Sequence, residues 1–171
     1  MSIGYLLYAD IVITEEELLT AIEESGSAVN RDGVIELVNG FELSEFKDTI
    51  GVVINLTKTN VDKFPFGQHD SCFLQNGFQQ LSYLDFWIDK QKNYEQAPVI
   101  DTFVLSVVFN LMNRLDCYAI LESHNSEELC LFTPSEVVIN NSDDTWKYPQ
   151  FSEVLQGINH RIFDGVPLRN N

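Results

Sequence analysis

Between Gln80 and Lys90 the chain reads QLSYLDFWIDK, and its apolar positions recur every second residue. Leu84, Phe86 and Ile88 fall on one side of an extended strand, and Tyr83, Asp85, Trp87 and Asp89 fall on the other. The first side suits a buried sheet face. The second sets aromatic rings beside carboxylates, an amphipathic face open to contact. Beyond a connector, KNYEQAP, the period changes. In VIDTFVLSVVFNLMNRL, Ile100, Phe103, Val104, Val107, Leu111 and Leu115 recur at helical spacing. This predicts the central core helix, starting after Pro98 and lying on a sheet.

The opening SIGYLLYADIVI is rich in aromatic and β-branched residues and predicts a strand. Thr14 then begins a helix. The run T-E-E-E is a capping box, in which Thr14 accepts from the backbone N–H of Glu17 and the Glu17 carboxylate reaches back. Leu18, Leu19, Ala21 and Ile22 form a short apolar face, and Gly26 ends the helix. VIELVNGFEL predicts a hairpin turning at Asn39-Gly40. Val52, Val53, Ile54 and Leu56 predict a buried strand. VDKFPFGQHDSCFLQNG, with its proline and glycines, is expected to be irregular. CYAILES, ELCLFT and EVVIN predict an antiparallel meander with polar turns at HNSE and PSE. The remainder is expected to hold one short helix after Ser152 and a polar tail from about residue 160. The order of elements predicts a single α+β domain over residues 1–171. Its expected architecture is a curved antiparallel sheet of about six strands with two main helices packed on one side.

Charge adds what periodicity cannot. Ten Lys+Arg stand against 26 Asp+Glu, a formal net charge of −16. Such a field repels nucleic acid and anionic membranes and steers a cationic partner inward. The acid is concentrated. From Met1 to Thr57 the only bases are Arg31 and Lys47, and from Asp116 to Trp146 there are none. Three cysteines, Cys72, Cys117 and Cys130, occur without a CxxC spacing, which fits reduced thiols and a cytoplasmic location. No signal segment is visible, and FVLSVVFNLM is too short to span a bilayer.

The stretch HNSEELCLFTPSEVVINNSDDTW is the richest in candidate chemistry. Its histidine, His124, and the two elsewhere, His69 and His160, have no Cys or His neighbour at ligand spacing, so neither a metal nor a cofactor is expected. N-N-S-D-D lacks the alternating acids, central glycine and terminal glutamate of a calcium loop and reads as a polar turn. Asp85 and Asp89, four apart on a strand, would stand roughly 13 Å apart, too far for a retaining glycosidase pair. A Cys72–His69 nucleophilic pair is the one catalytic alternative, the reading of a small hydrolase. A partner surface is the main expectation. Tyr83, Asp85, Trp87 and Asp89 supply one strand face, and Glu122, Glu127, Glu128, Glu136, Asp143, Asp144 and Trp146 edge the meander. Aromatics beside acids suit a hot-spot patch for a basic protein.

Two segments resemble the myxobacterial Sit-type toxin-immunity proteins. The start, MSIGYLLYADIVITEEELL, is similar to that family's aromatic-containing strand and Thr/Ser-capped acidic helix. VVFNLMNRLDCYAILESHNSEELCLFTPSEVVIN followed by DDTW is similar to its core helix and the strands after it, with Asp116 at the Asp position and Trp146 at the aromatic one. The resemblance covers about the first 25 residues and Val107 to Trp146; Arg31 to Pro98 match nothing in it. It implies a cytoplasmic bacterial immunity protein of a contact-dependent or polymorphic toxin system. Such a protein is no enzyme. It is expected, as a monomer or weak dimer, to bind one cognate toxin, often a nuclease with a basic cleft. The alternative within the binding class is an acidic nucleic-acid mimic that inhibits a DNA-binding enzyme.

Overall fold

The computed structural model describes residues 3–58, 67–123, 125–142 and 144–169. In chain order the elements are β1 (Ile3–Ala9), α1 (Glu15–Glu24), β2 (Val34–Leu37), β3 (Gly40–Leu43), β4 (Val52–Lys58), β5 (Gln68–His69), β6 (Phe78–Gln79) and β7 (Ser82–Ile88), followed by α2 (Lys90–Arg114), β8 (Ala119–Ser123), β9 (Glu128–Phe132), β10 (Val137–Ile139), α3 (Pro149–Val154) and β11 (His160–Ile162). Nine strands form one sheet in the order β11-β10-β9-β8-β1-β7-β4-β3-β2, and β5 and β6 pair separately. Only the β10–β11 pairing within the large sheet is parallel. The α+β class and the mostly antiparallel sheet agree with the sequence; the count of about six strands does not.

One row of side chains shows what holds the sheet to its helices. Phe41, Leu56, Leu84, Leu7, Leu121, Cys130 and Ile139 are successive cross-strand partners. All seven are buried, and they belong to one core with Leu18, Leu19 and Ile22 of α1 and Ile100, Val104 and Leu111 of α2. Burying each large aliphatic side chain contributes roughly 1.5–3 kcal/mol. The period-two pattern of each strand aims its apolar set at this face, and the helices cover it. Phe151 of α3 joins the same core. A second, smaller core lies on the opposite face, where Phe73, Leu74 and Phe78 pack on Ile120, Leu131 and Val138.

Local signals behave as expected at α1. Glu17 N donates to Thr14 Oγ1 at 3.2 Å, and Thr14 N donates to Glu17 Oε2 at 2.7 Å. Several local expectations differ from the structure. KNYEQAP is not a connector: α2 starts at Lys90, and Asp89 caps it, accepting from Gln91 N at 2.8 Å and Lys92 N at 3.2 Å. Pro98 lacks an N–H and disfavours helical geometry before it; Gln96 departs to φ −146°, ψ 34°, and two helical segments meet in a kink there. The hairpin turns one residue earlier than expected. Gly40 already pairs with Leu37, because a side chain there would strike the Leu56 carbonyl of β4. The residues from 160, expected as a polar tail, pair with the rest of the domain. β11 extends the sheet edge, and Leu168 N donates to Phe73 O at 2.7 Å. The short helix begins at Pro149, before Ser152.

Candidate functional site

On the face away from the helices, β7 presents Tyr83, Asp85 and Trp87, all half-buried. Their neighbours follow from the register. Asn55 and Leu6 flank Asp85, and beyond them stand Glu42 on one side and Glu122 on the other. Val53 and Gly4 flank Trp87. A concavity beside the indole is lined by Glu42, Asp48, Val53 and Asn55. Tyr83 packs against Tyr8 with ring centroids 5.4 Å apart. Burial first, then the charges of Asp85 and Glu122, push the Tyr83 phenol up to about 12. Burial also raises the Asp85 carboxyl above the usual carboxylate range. No ion pair among the described residues involves Asp85. The sheet therefore offers a partly desolvated acid beside two aromatic rings.

Further along the same face, three residues distant in sequence converge. Glu122 extends from β8 and is buried. His69 of β5 places Nε2 3.5 Å from Glu122 Oε1. Donor atoms of His69, Glu122 and Glu128 all lie within 4.8 Å of one another. His69 and Glu128 are braced from behind. The His69 ring stacks on Tyr8 at 4.2 Å and tilts against Phe78 at 5.5 Å. Burial first, then the charge of the neighbouring Glu122, holds the Tyr8 phenol far above its ordinary value. Glu128 Oε2 accepts from Cys72 N at 2.9 Å and Ser71 Oγ at 3.2 Å. Gly77 turns between β5 and β6 with φ +61°, where a side chain would strike the His69 carbonyl. Asp70, Ser71, Cys72, Ser126 and Asn140 line the cleft at the opening.

The arrangement bears on the Cys72–His69 pair. Burial of its thiol, then the hydrogen bond and charge of Glu128, push Cys72 up to about 12. His69 Nε2 is turned to Glu122. Burial first, and the Glu128 carboxylate after it, favour the protonated thiol, whereas a nucleophilic cysteine draws on a nearby base.

The other residues singled out in the sequence scatter. Asp89 leaves the strand face to cap α2, because the strand ends at Ile88 and the helix needs an acceptor for its first N–H groups. Trp146 is buried, not exposed at an edge. Its Nε1 donates to Leu129 O at 3.1 Å and its ring meets Phe151 edge-on at 5.6 Å. Glu136 binds Arg161 Nε at 2.8 Å, fastening the β11 edge. Asp144, with φ 65°, pairs with Lys147 at 2.6 Å. Glu127 accepts from Ser142 Oγ at 3.3 Å, at the far side of the meander turn. Asp143 and His124 lie outside the described residues. Thus Tyr83, Asp85 and Trp87 stay together, Glu122 and Glu128 join His69, and the rest separate. His69, Tyr8 and Asn55 were not assigned to a partner surface or a ligand set from the sequence. The alternation of β1 could have placed Tyr8 opposite the core; nothing local could have paired His69 with Glu122. No protein-family model, curated protein or solved structure matches the chain.

Proposed function

We propose that this chain is an immunity protein that binds a cognate bacterial toxin, a basic nuclease effector, and occludes its active site stoichiometrically without a reaction of its own. The observation that carries the reading is the grouping of Tyr83, Asp85 and Trp87 on the outer face of a central strand. A rigid sheet holds the three in fixed relative positions, so little ordering cost attends binding. Asp85 is already partly desolvated and has no cationic partner among the described residues. A lysine or arginine from a nuclease cleft would supply one, while Trp87 and Tyr83 give the apolar contact that hot spots use. The net charge of −16 adds long-range attraction to a basic cleft.

The test is growth rescue. A toxin domain, sought in the reading frame next to the one for this chain, is expressed in a host, alone and with the chain. Rescue is expected with the native chain and is expected to be lost with Asp85→Lys combined with Trp87→Ala, provided circular dichroism shows that variant folded. A toxin that kills despite the native chain, or a double variant that rescues in full, would sink the reading.

A further inference from the structure

The geometry points to a divalent transition-metal site formed by His69, Glu122 and Glu128, for which zinc is the natural occupant. The first support is the donor set. One imidazole nitrogen and two carboxylate oxygens match the ligands zinc takes, whereas magnesium and calcium prefer oxygen alone. With metal–ligand bonds near ~2.1 Å, donors of a tetrahedral zinc site stand about 3.4 Å apart. His69 Nε2 and Glu122 Oε1 are already at 3.5 Å. The Glu128 donor, within 4.8 Å, needs only a side-chain adjustment. The fourth position would open toward the cleft lined by Ser71, Cys72, Ser126 and Asn140.

The second support is independent of the donor count. His69 Nε2 is sealed from solvent and makes no hydrogen bond. Its approach to Glu122 Oε1, at 3.5 Å, is long for a hydrogen bond. A buried ring nitrogen without a partner is costly, and here it points at a buried carboxylate that is itself costly to leave without a cation. An ion between them would satisfy both. The third support is the bracing. Tyr8 stacks on His69, while Cys72 N and Ser71 Oγ hold Glu128 by Oε2, leaving its second oxygen to coordinate. Outer contacts of this kind fix ligands in metal sites.

The full chain, stripped with a chelator and kept reduced, is titrated with Zn2+ and, separately, with Mg2+ by calorimetry and thermal unfolding. Zn2+ is expected to bind with a stoichiometry of one and to raise Tm, and Mg2+ to do neither. His69→Gln and Glu128→Gln are each expected to weaken binding at least ~100-fold, and Ser71→Ala, which removes a hydrogen bond to Glu128, about tenfold, as loss of an outer contact does. Glu122→Gln is the parallel test at the buried ligand; the other two variants decide the matter if it fails to fold. Absence of saturable Zn2+ binding at millimolar concentration overturns the proposal. So does binding unchanged in His69→Gln, which would place the ion on the cysteines or another histidine. Binding of Mg2+ in preference to Zn2+ overturns the assigned class.

Discussion

Asp85 on β7 and Glu122 on β8 stand on the same face of the sheet, on either side of Leu6 in one cross-strand row. The row continues through Asn55 to Glu42. Neighbouring strands are about 4.8 Å apart, so two acids separated by one strand stand about 10 Å apart. Glu122 has Tyr8 and His69 beside it, whereas Asp85 has Asn55 and Leu6. The two acids therefore divide the face into a braced cluster and an open patch.

Asp85→Asn is expected to stabilise the protein at neutral pH by less than ~1 kcal/mol, because the site is only half-buried and solvent screens the effect. A carboxyl whose folded pKa is raised holds its proton more tightly in the folded state. Its contribution to stability is complete below the unfolded carboxylate range, near about 4, and is lost as the pH rises through the raised folded value. The advantage of the amide should accordingly shrink to nothing on acidification. Urea melts at a series of pH values measure it; a variant less stable than the native chain at neutral pH would count against the desolvation argument. Under the proposed function the same substitution should weaken partner binding, the usual conflict between stability and function.

Trp146→Ala should cost about 3–5 kcal/mol, the range for emptying a large aromatic site in a core. Trp146→Phe should retain packing but leave the Leu129 carbonyl without its donor, costing about 1–3 kcal/mol. Denaturant unfolding gives both values. Whatever fraction remains folded should still bind toxin, since the indole is inside the protein.

Ser82 joins the end of β1 to α1. Its Oγ donates to Ile11 O at 2.7 Å and accepts from Ile13 N at 2.7 Å, with the residue fully buried. Ser82→Ala leaves both backbone groups unpaired and should lower stability by about 1–3 kcal/mol. Ser82→Thr, which keeps the hydroxyl, should separate loss of the bonds from crowding. Equal stability of the alanine variant and the native chain would show that water replaces the hydroxyl.

Truncation after Asn159 removes β11, the Glu136–Arg161 pair and the contacts of Leu168 with the Phe73 segment. It also uncovers the edge of β10 that pairs with β11 and removes the Phe73–Phe163 ring contact at 4.9 Å. The shortened chain should unfold several degrees lower and aggregate more readily, because an uncovered strand edge is a template for pairing. Scanning calorimetry with light scattering checks this. A truncated chain with unchanged Tm would restore the picture of a polar tail.

Gly40 separates two uses of glycine that look alike in a sequence. In VIELVNGFEL the Asn-Gly pair suggests a turn, yet Gly40 is the first paired residue of β3. Gly40→Ala should cost about 1–3 kcal/mol through overpacking against Leu56 and Thr57. Asn39→Ala at the turn should cost less. Comparing the two by urea denaturation tells close approach from turn geometry.

Several features set by near neighbours were legible in the sequence. The capping box at Thr14, the alternation of β7 and the apolar stripe of α2 each arise within a few residues, where local spacing fixes which groups meet. The face shared by Tyr83, Asp85 and Trp87 follows from that alternation alone. What the tertiary structure decided depends on residues far apart in the chain. Strand register brings His69 to Glu122 and Glu128, buries Trp146 beneath Leu129 and Phe151, and turns the residues after 160 into a sheet edge. No local pattern encodes these pairings, because they come from burying one face of a nine-stranded sheet. Once Leu7, Leu84 and Leu121 are aligned in that core, the positions on the opposite face have no remaining choice of neighbour.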